Sequence, residues 1–473
     1  MLPDDVLLEI FDLYKEDPLS KSPSKNSLSW RWKTLTHVCR RWRHIVFASP
    51  QRLDLRVVCS STTSVTTLLD IWPSLPITVT HFCSCPHTLD EKGVENLIAA
   101  VEHRNRTSEI RIFHVNGSAL KKLAAAMNEP LPVLTNFLLW SSYDRNGPAP
   151  VLPETFLGGS APRLRSFHLR GIPFPSFPRF IMSASHIVHL TLARIPNSGY
   201  IPPDTMVTSL ATLPNLKYLH IGFKPPLFRP LQIGLPPPSA LTCAVLPALV
   251  SLSFDGASEY FEDFLARTHT PLLQHLAIGF FMGRIFDTPR LHSLIVHGEW
   301  LRPLSPAWMA LDCNRIRIIL GQPTRIQLTI QYEEQDWQLS TLARICNQQL
   351  PFLSLVERLS ICELFRGSFD LNDDMPVNSQ WLELFQPFVA VQNLYVSKEL
   401  VPFVIASLRE LTGDRTMEVL SALKNLFLEG FEPSGSVQEA IEPFVSARQL
   451  SGCPVVVHSE KPLPHPDILS ENG

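Results

Sequence analysis

The sequence predicts an α/β protein: a small helical module over residues 1–56, an irregular solenoid of β/α repeats over 57–458, and a flexible tail over 459–473. Three observations carry this. Apolar residues at helical spacing fill two stretches of the first fifty positions, and a short apolar pattern returns eleven times after them. Proline reaches 42 residues against 20 glycines, nearly twice its usual frequency of about 5%, so the chain is punctuated many times.

The first stretch reads "LPDDVLLEIFDLY". Pro3 suits a first helical turn, where its missing N–H costs nothing, and Asp4 and Asp5 place negative charge near the positive helix end. Val6, Leu7, Ile10, Phe11 and Tyr14 recur at helical spacing, while Leu8 and Leu13 widen the apolar face beyond what one packed side requires. The segment from Lys15 to Ser29, rich in Ser, Lys and Pro, reads as a loop. A second helix is expected from Trp32, with Leu35, Val38, Cys39, Trp42, Ile45 and Val46 as its apolar stripe and Pro50 at its end. Lys33, His37, Arg40, Arg41, Arg43 and His44 fill the remaining face, which reads as solvated. Two amphipathic helices in about fifty residues bury only part of their apolar surface alone and require a further packing partner. Trp42 and Ile45 are assigned to the core; Leu2 and Pro3 are assigned to a covered outer face.

These two stretches, "LPDDVLLEIFDLY" and "LTHVCRRWRHIVFASP", resemble the F-box, the short helical module that docks on the Skp-family adaptor of cullin-based ubiquitin ligases. The resemblance covers about the first fifty residues. It departs from the compact form in its longer, proline-bearing loop, which is similar to a variant found in large families of mushroom-forming fungi. The motif begins at the second residue, which predicts a leader missing from this chain. What the resemblance implies is an adaptor-binding face of Leu2, Pro3, Val6, Leu7, Ile10 and Phe11, joined by Leu35, Val38 and Cys39 of the later helix.

After Pro50, "RLDLRVVC" and "PITVTHF" alternate as strands, with a short helix between them around Leu68, Leu69 and Trp72. From there the recurring pattern is apolar, two others, apolar, one other, apolar. It appears as "IRIFHV", "LTNFLL", "LRSFHL", "IVHLTL", "LKYLHI", "LVSLSF", "LQHLAI", "LHSLIV", "VERLSI", "VQNLYV" and "LKNLFL". Outside one long gap after Leu291, the first anchors lie from 18 residues apart (Leu273 to Leu291) to 35 (Val356 to Val391). Units that short cannot close a core alone, so neighbours must stack. Lead-ins such as "APRL", "LPNL" and "TPLL" place a proline two residues before the leading leucine, where it is expected to end a helix and begin a strand. Helices are expected in "PPDTMVTSLATLP" and "EYFEDFLARTHTP", and atypical strands in "RIRIIL" and "TRIQLTI" within the gap. A last helix over "SVQEAIEPFVSARQLSG" and a strand "PVVVHS" read as a cap.

This unit resembles a degenerate leucine-rich repeat. Regular repeats carry Asn or Cys after the strand to satisfy buried backbone. Here those places hold Ile172, Ile195, Lys224 and Ala257, which predicts irregular curvature.

Composition narrows the function classes. Lys plus Arg number 41 and Asp plus Glu 44, so no global field attracts nucleic acid or an anionic membrane, and neither is expected as a partner. The uncharged run Pro230 to Phe254 is interrupted by five prolines and is rejected as a membrane span. Nine cysteines without a framework, and no signal pattern at the start, predict reduced thiols inside the cell, in cytoplasm or nucleus, and make the sequons at Asn105 and Asn116 chance matches. No phosphate loop, dinucleotide fingerprint, His-Glu-x-x-His helix or nucleophile elbow occurs, so no catalytic residue and no cofactor is expected. His81, Cys83, Cys85 and His87 lie within seven residues, but no second cluster completes a zinc site, and an ordinary strand end is the favoured reading. Phe280, Phe281, Trp300 and Trp308 could anchor a target, though aromatics on strands are more often core.

The function expected from these readings is that of a substrate-recognition subunit of a cullin-based ubiquitin ligase. Its partners would be the Skp-family adaptor with its cullin complex and a target protein held on the repeats. The alternative is a protein-interaction scaffold with no role in ubiquitination, and an enzyme on an irregular α/β fold is a distant third.

Overall fold

The computed structural model describes residues 2–15, 31–49, 55–62, 64–81, 89–141, 150–225, 243–281, 288–297, 306–312, 315–321, 326–331, 339, 343, 346–347, 350–363, 378–430 and 436–459. They fall into two compact units, Met1–Lys224 with Ala244–Ala248 and Pro225–Cys243 with Leu249–Gly473. The loop expected between the first two helices and nearly all of the expected tail lie outside the described residues, as does most of the apolar run rejected as a span. Among the described residues no helix is long and apolar enough to cross a membrane.

The first unit opens with α1 (Asp4–Lys15), whose first intrahelical bond runs from Leu7 N to the Pro3 carbonyl at 3.1 Å. The single helix expected after it is two, α2 (Arg31–Val38) and α3 (Arg40–Ala48). The break is at Cys39, which is extended (φ −159°, ψ 170°) and whose Sγ accepts the Trp42 N–H at 3.4 Å. Cys39 is therefore an N-cap inside an otherwise continuous apolar stripe. A periodicity count misses it, because the stripe runs on across the break.

Seven parallel strands follow in sequence order: β1 (Arg56–Val58), β2 (Ile77–His81), β3 (Thr107–Val115), β4 (Asn136–Ser141), β5 (Ser166–Arg170), β6 (His189–Ile195) and β7 (Tyr218–Phe223). A two-residue strand, β8 (Ala244–Val245), closes the unit. Between the strands lie α4 (Val65–Ile71), α5 (Glu91–Glu102), α6 (Gly117–Ala126), a 3-10 turn at Phe156–Gly159, α7 (Phe177–Ile181) and α8 (Pro203–Leu210). Sequence reading did not foresee α5 and α6. Each is started by a side-chain cap: Asp90 accepts from Gly93 N at 2.9 Å and Asn116 from Ala119 N at 2.8 Å. The second of these is one of the two sequon asparagines.

Register explains the recurring pattern. Val57, Val79, Ile110, Phe137, Phe167, Leu190 and Leu219 stand opposite one another across the seven strands, and all are buried. Phe137 and Phe167 stack at 5.5 Å between ring centroids, and Phe156, Phe174, Phe177 and Phe180 pack around them, so this core is filled by phenylalanine. The repeat is equally visible in the backbone. The Thr135 carbonyl accepts from the amides of Arg165 and Ser166, that of Arg165 from Val188 and His189, and that of Val188 from Lys217 and Tyr218, all at 2.8–3.1 Å.

Proline does something different from what was expected of it. In Ala161–Leu164, Leu213–Leu216 and Thr270–Leu273 it holds the second position of a four-residue turn closed by a bond from the last amide to the first carbonyl, at 3.1, 3.3 and 3.3 Å. Its fixed φ suits that position, so it shapes the turn rather than beginning the strand.

The second unit contains β9 (Ser251–Gly256), α9 (Ser258–Leu265), β10 (Thr268–His269), β11 (His275–Phe281), α10 (Pro289–His297), β12 (Ala307–Asp312), β13 (Arg315–Leu320), β14 (Ile326–Gln331), β15 (Arg358–Glu363), β16 (Asn393–Val396), β17 (Asn425–Leu428) and β18 (Val456–His458). Helices Asn378–Phe385, Val401–Leu408 and Ser436–Leu450 separate the last strands. The stretch "LHSLIV" is α10, not a strand. Leu291, Leu294 and Ile295 fit helical spacing as well as the repeat pattern, and the Glu262 carboxylate decides between them by accepting the amides of Arg290 (2.8 Å) and Leu291 (2.9 Å) at the helix start.

The gap after it holds the two expected strands, β13 and β14, and one not foreseen, β12. Within this unit the order is β9, β11, β14, β13, β12, β15, β16, β17, β18. The pairs β14–β13 and β13–β12 are antiparallel and all others are parallel. A double reversal of direction is thus inserted into a parallel ladder. Because it reverses twice, β15 resumes the parallel course on β12.

Arginine side chains supply donors to carbonyls of turns and of a helix end. Arg106 donates to the carbonyls of Leu75 (3.0 Å), Pro73 (2.6 Å) and Leu69 (3.4 Å). Arg448, wholly buried, donates to those of Leu420 (2.7 Å), Thr416 (3.3 Å), Ser421 and Leu423 (3.4 Å each), with its guanidinium 5.7 Å from the Phe444 ring centre.

Candidate docking face

In the three-helix module, α1 packs on both α2 and α3. Phe11 meets Trp42 at 4.8 Å between ring centroids. Leu7, Phe11, Leu35, Ile45 and Val46 are buried and form its interior. Of the nine residues expected on the adaptor-binding face, Leu7, Phe11 and Leu35 therefore face inward and underlie that face. Leu2, Pro3, Val6, Ile10, Val38 and Cys39 are exposed. Trp42 is half-buried and Ile45 buried, both toward the core.

The division within α1 follows from helix geometry. Val6 and Ile10 form one stripe four residues apart, and Leu7 and Phe11 form another displaced by one residue, about 100° around the axis. The second stripe reaches α2 and α3; the first does not. Val6 is 38% exposed and Ile10 41%, although both are large and apolar.

Arg41 joins the two ends of the module. Its Nη2 donates to the Leu2 carbonyl at 2.6 Å and to Asp4 Oδ1 at 2.5 Å, and its Nε to the same Asp4 oxygen at 3.1 Å. The clamp brings the Leu2 end of α1 to the start of α3, beside the Val38–Cys39 junction. Sequence reading placed Arg41 on a solvated face, and nothing local identifies its partner 37 positions away. Arg43 Nε donates to the Thr36 carbonyl at 2.9 Å and so bridges α2 and α3. Phe47, 45% exposed at the far end of α3, adds an apolar surface residue that the sequence reading did not single out.

The other sequence candidates resolve as follows. His81 is buried at the end of β2, its Nδ1 3.0 Å from the Cys59 carbonyl, and burial holds its imidazole below the usual pKa. Cys83, Cys85 and His87 lie outside the described residues. Among the described residues no group of three or more His, Cys, Asp or Glu could hold a metal ion, and the six described cysteines are free thiols. Phe280 and Trp308 are buried and Phe281 half-buried; Trp300 lies outside the described residues.

No protein-family model matches the chain, and no curated protein matches it. Among solved structures it is similar to the leucine-rich repeat-containing protein LegL7 of Legionella pneumophila, with 12% identity and a TM-score of 0.28 over 84% of this chain and 98% of that one. A likeness that loose carries neither the fold, which rests on the ladder described above, nor a function.

Proposed function

We propose that the chain is a non-catalytic receptor of a cullin-based ubiquitin ligase. The N-terminal helices dock a Skp-family adaptor, and the repeats hold a target protein. The observation that supports this most is the exposed apolar stripe of Leu2, Val6 and Ile10 beside a buried one, on residues that resemble an F-box. Covering one such side chain is worth roughly 1.5–3 kcal/mol, so a partner surface over this stripe has a substantial driving force. The array of strand–turn–helix units fits a leucine-rich-repeat-like scaffold that offers a broad surface to a target.

In this reading no residue of the chain makes or breaks a bond and no cofactor is used. Transfer of ubiquitin is promoted because adaptor and target are held at high effective concentration. Such a receptor works inside the cell, in cytoplasm or nucleus.

The test is co-purification of adaptor and cullin with the full chain, comparing wild type with Val6→Asp/Ile10→Asp and with Leu2→Ala/Pro3→Ala. The variants are expected to lose adaptor while keeping the wild-type melting temperature. Equal retention by all three proteins removes the proposed face. Loss of adaptor with no change in ubiquitination of any bound protein favours the alternative, an interaction scaffold.

A further inference from the structure

Arg40, Arg41 and Arg43 stand in the first turn of α3, the positive end of the helix macrodipole, where a cation costs stability. No acidic residue offsets them within that turn. Charges set against their own helix break a local rule, and such breaks mark positions held for another purpose.

Arg41 shows that purpose. Its guanidinium leaves α3 and reaches the start of α1, where Nη2 donates to the Leu2 carbonyl at 2.6 Å and to Asp4 Oδ1 at 2.5 Å, and Nε to the same carboxylate oxygen at 3.1 Å. Helix α1 takes its first bond from the Pro3 carbonyl, so Leu2 stands before the helix and its carbonyl is held by α3. Val38 and Cys39, both exposed, lie immediately before α3.

This ion pair adds little to stability. The Arg41 side chain is 35% exposed and that of Asp4 61%, and pairs so exposed are screened by water and salt. What a planar fork held at two oxygens does supply is direction, which fixes a short segment in one place before anything binds.

We propose that Arg41 is a positioning residue of the docking face. By holding Leu2 and Pro3 against the start of α3, it joins them with Val38 and Cys39 into one surface before the adaptor arrives. This role rests on the reading of that face as the adaptor site. It also makes docking on an apolar surface sensitive to salt, because the clamp beside that surface is ionic.

The experiment uses the full chain and a purified Skp-family adaptor. Affinity, melting temperature and hydrogen exchange of the amides over Asp4–Leu8 are measured on each protein. Arg41→Met keeps the aliphatic stem and removes every donor; Asp4→Ala breaks the clamp from the other side. Each is expected to lose about tenfold in affinity, to exchange faster at the start of α1, and to melt as wild type does. The double variant is expected to bind no more weakly than the weaker single variant, because both changes remove one clamp. Arg40→Ala, which removes a neighbouring charge and leaves the clamp, is expected to bind as wild type.

Wild-type affinity in Arg41→Met, or unchanged exchange at the start of α1, overturns the proposal. So do losses that multiply in the double variant, which would place Arg41 in direct contact with the adaptor. An equal loss in Arg40→Ala overturns it as well, since net charge would then be the cause. A wild-type chain that captures no adaptor removes the adaptor reading itself and this role with it, so the two failures are distinguishable.

Discussion

The Arg448 guanidinium donates through Nη2 to the carbonyl of Leu420 at 2.7 Å, and Leu420 is one of four non-glycine residues with positive φ among the described residues, at 51°. A leucine in that conformation is strained, and the buried arginine holds the turn that imposes it. Among the described residues no carboxylate pairs with it; the positive charge is spread over main-chain oxygens, and burial lowers its pKa.

Replacing Arg448 with methionine keeps much of the volume and removes every donor. Hydrogen bonds from a charged group contribute about 1.5–3 kcal/mol, and the abandoned carbonyls add their desolvation, so Arg448→Met is expected to cost about 2–4 kcal/mol. Urea unfolding measures this. A midpoint within error of wild type would show that the 413–423 turn does not depend on the arginine.

The two stripes of α1 should separate folding from binding. Phe11→Ala removes a ring buried against Trp42 and is expected to destabilise the chain by about 3–5 kcal/mol. Ile10→Asp, on the exposed stripe, is expected to shift stability by no more than about 0.5 kcal/mol while abolishing adaptor capture. Thermal melts paired with co-purification read both, and a large melting change for Ile10→Asp would mean that its stripe is covered by the chain itself.

His168 gives the chain a specific sensitivity to acid. Its imidazole sits at about 4 in the folded protein, against about 6.5 when unfolded, and its Nε2 lies 2.7 Å from Ser166 Oγ. The unfolded state therefore binds the proton first. The stability that neutral His168 provides is complete above pH 6.5 and is lost as pH falls toward 4, amounting to about 3 kcal/mol over that window. His168→Gln is expected to flatten the dependence of melting temperature on pH between 7 and 4.5; parallel curves for the two proteins would refute the assignment.

Gly279 on β11 lies opposite Asp255 of β9, and a Cβ there would collide with the Asp255 carboxylate oxygen. Gly279→Ala is expected to cost roughly 1–3 kcal/mol, and less in an Asp255→Ala background. A double-mutant cycle with zero coupling would contradict the collision.

How far the sequence could be read depended on the distance over which each signal acts. Leu164, Leu216 and Leu423 were legible as anchors, and all are buried, because a repeat pattern is local and returns at every turn of the stack. The α1 helix was legible from its spacing and from Asp4 and Asp5 in its first turn. "LHSLIV" was misread because six residues satisfy a helix and a strand equally, and Glu262, which tips the balance, is 29 positions away from Leu291. Cys39, expected on the docking face, is exposed, and its Sγ is also the cap that splits a helix, which its place in the apolar stripe does not reveal.

By itself, then, the sequence determined the first helix, most of the returning strand anchors, and which residues are apolar enough to be covered. Only the tertiary structure decided which of those are covered by this chain. It set Leu7 inside and Ile10 outside, paired Arg41 with Asp4, and placed β12 between β13 and β15. Each of those outcomes depends on groups far apart in sequence arriving at one place, and a helical or alternating period carries no information about what lies across from it.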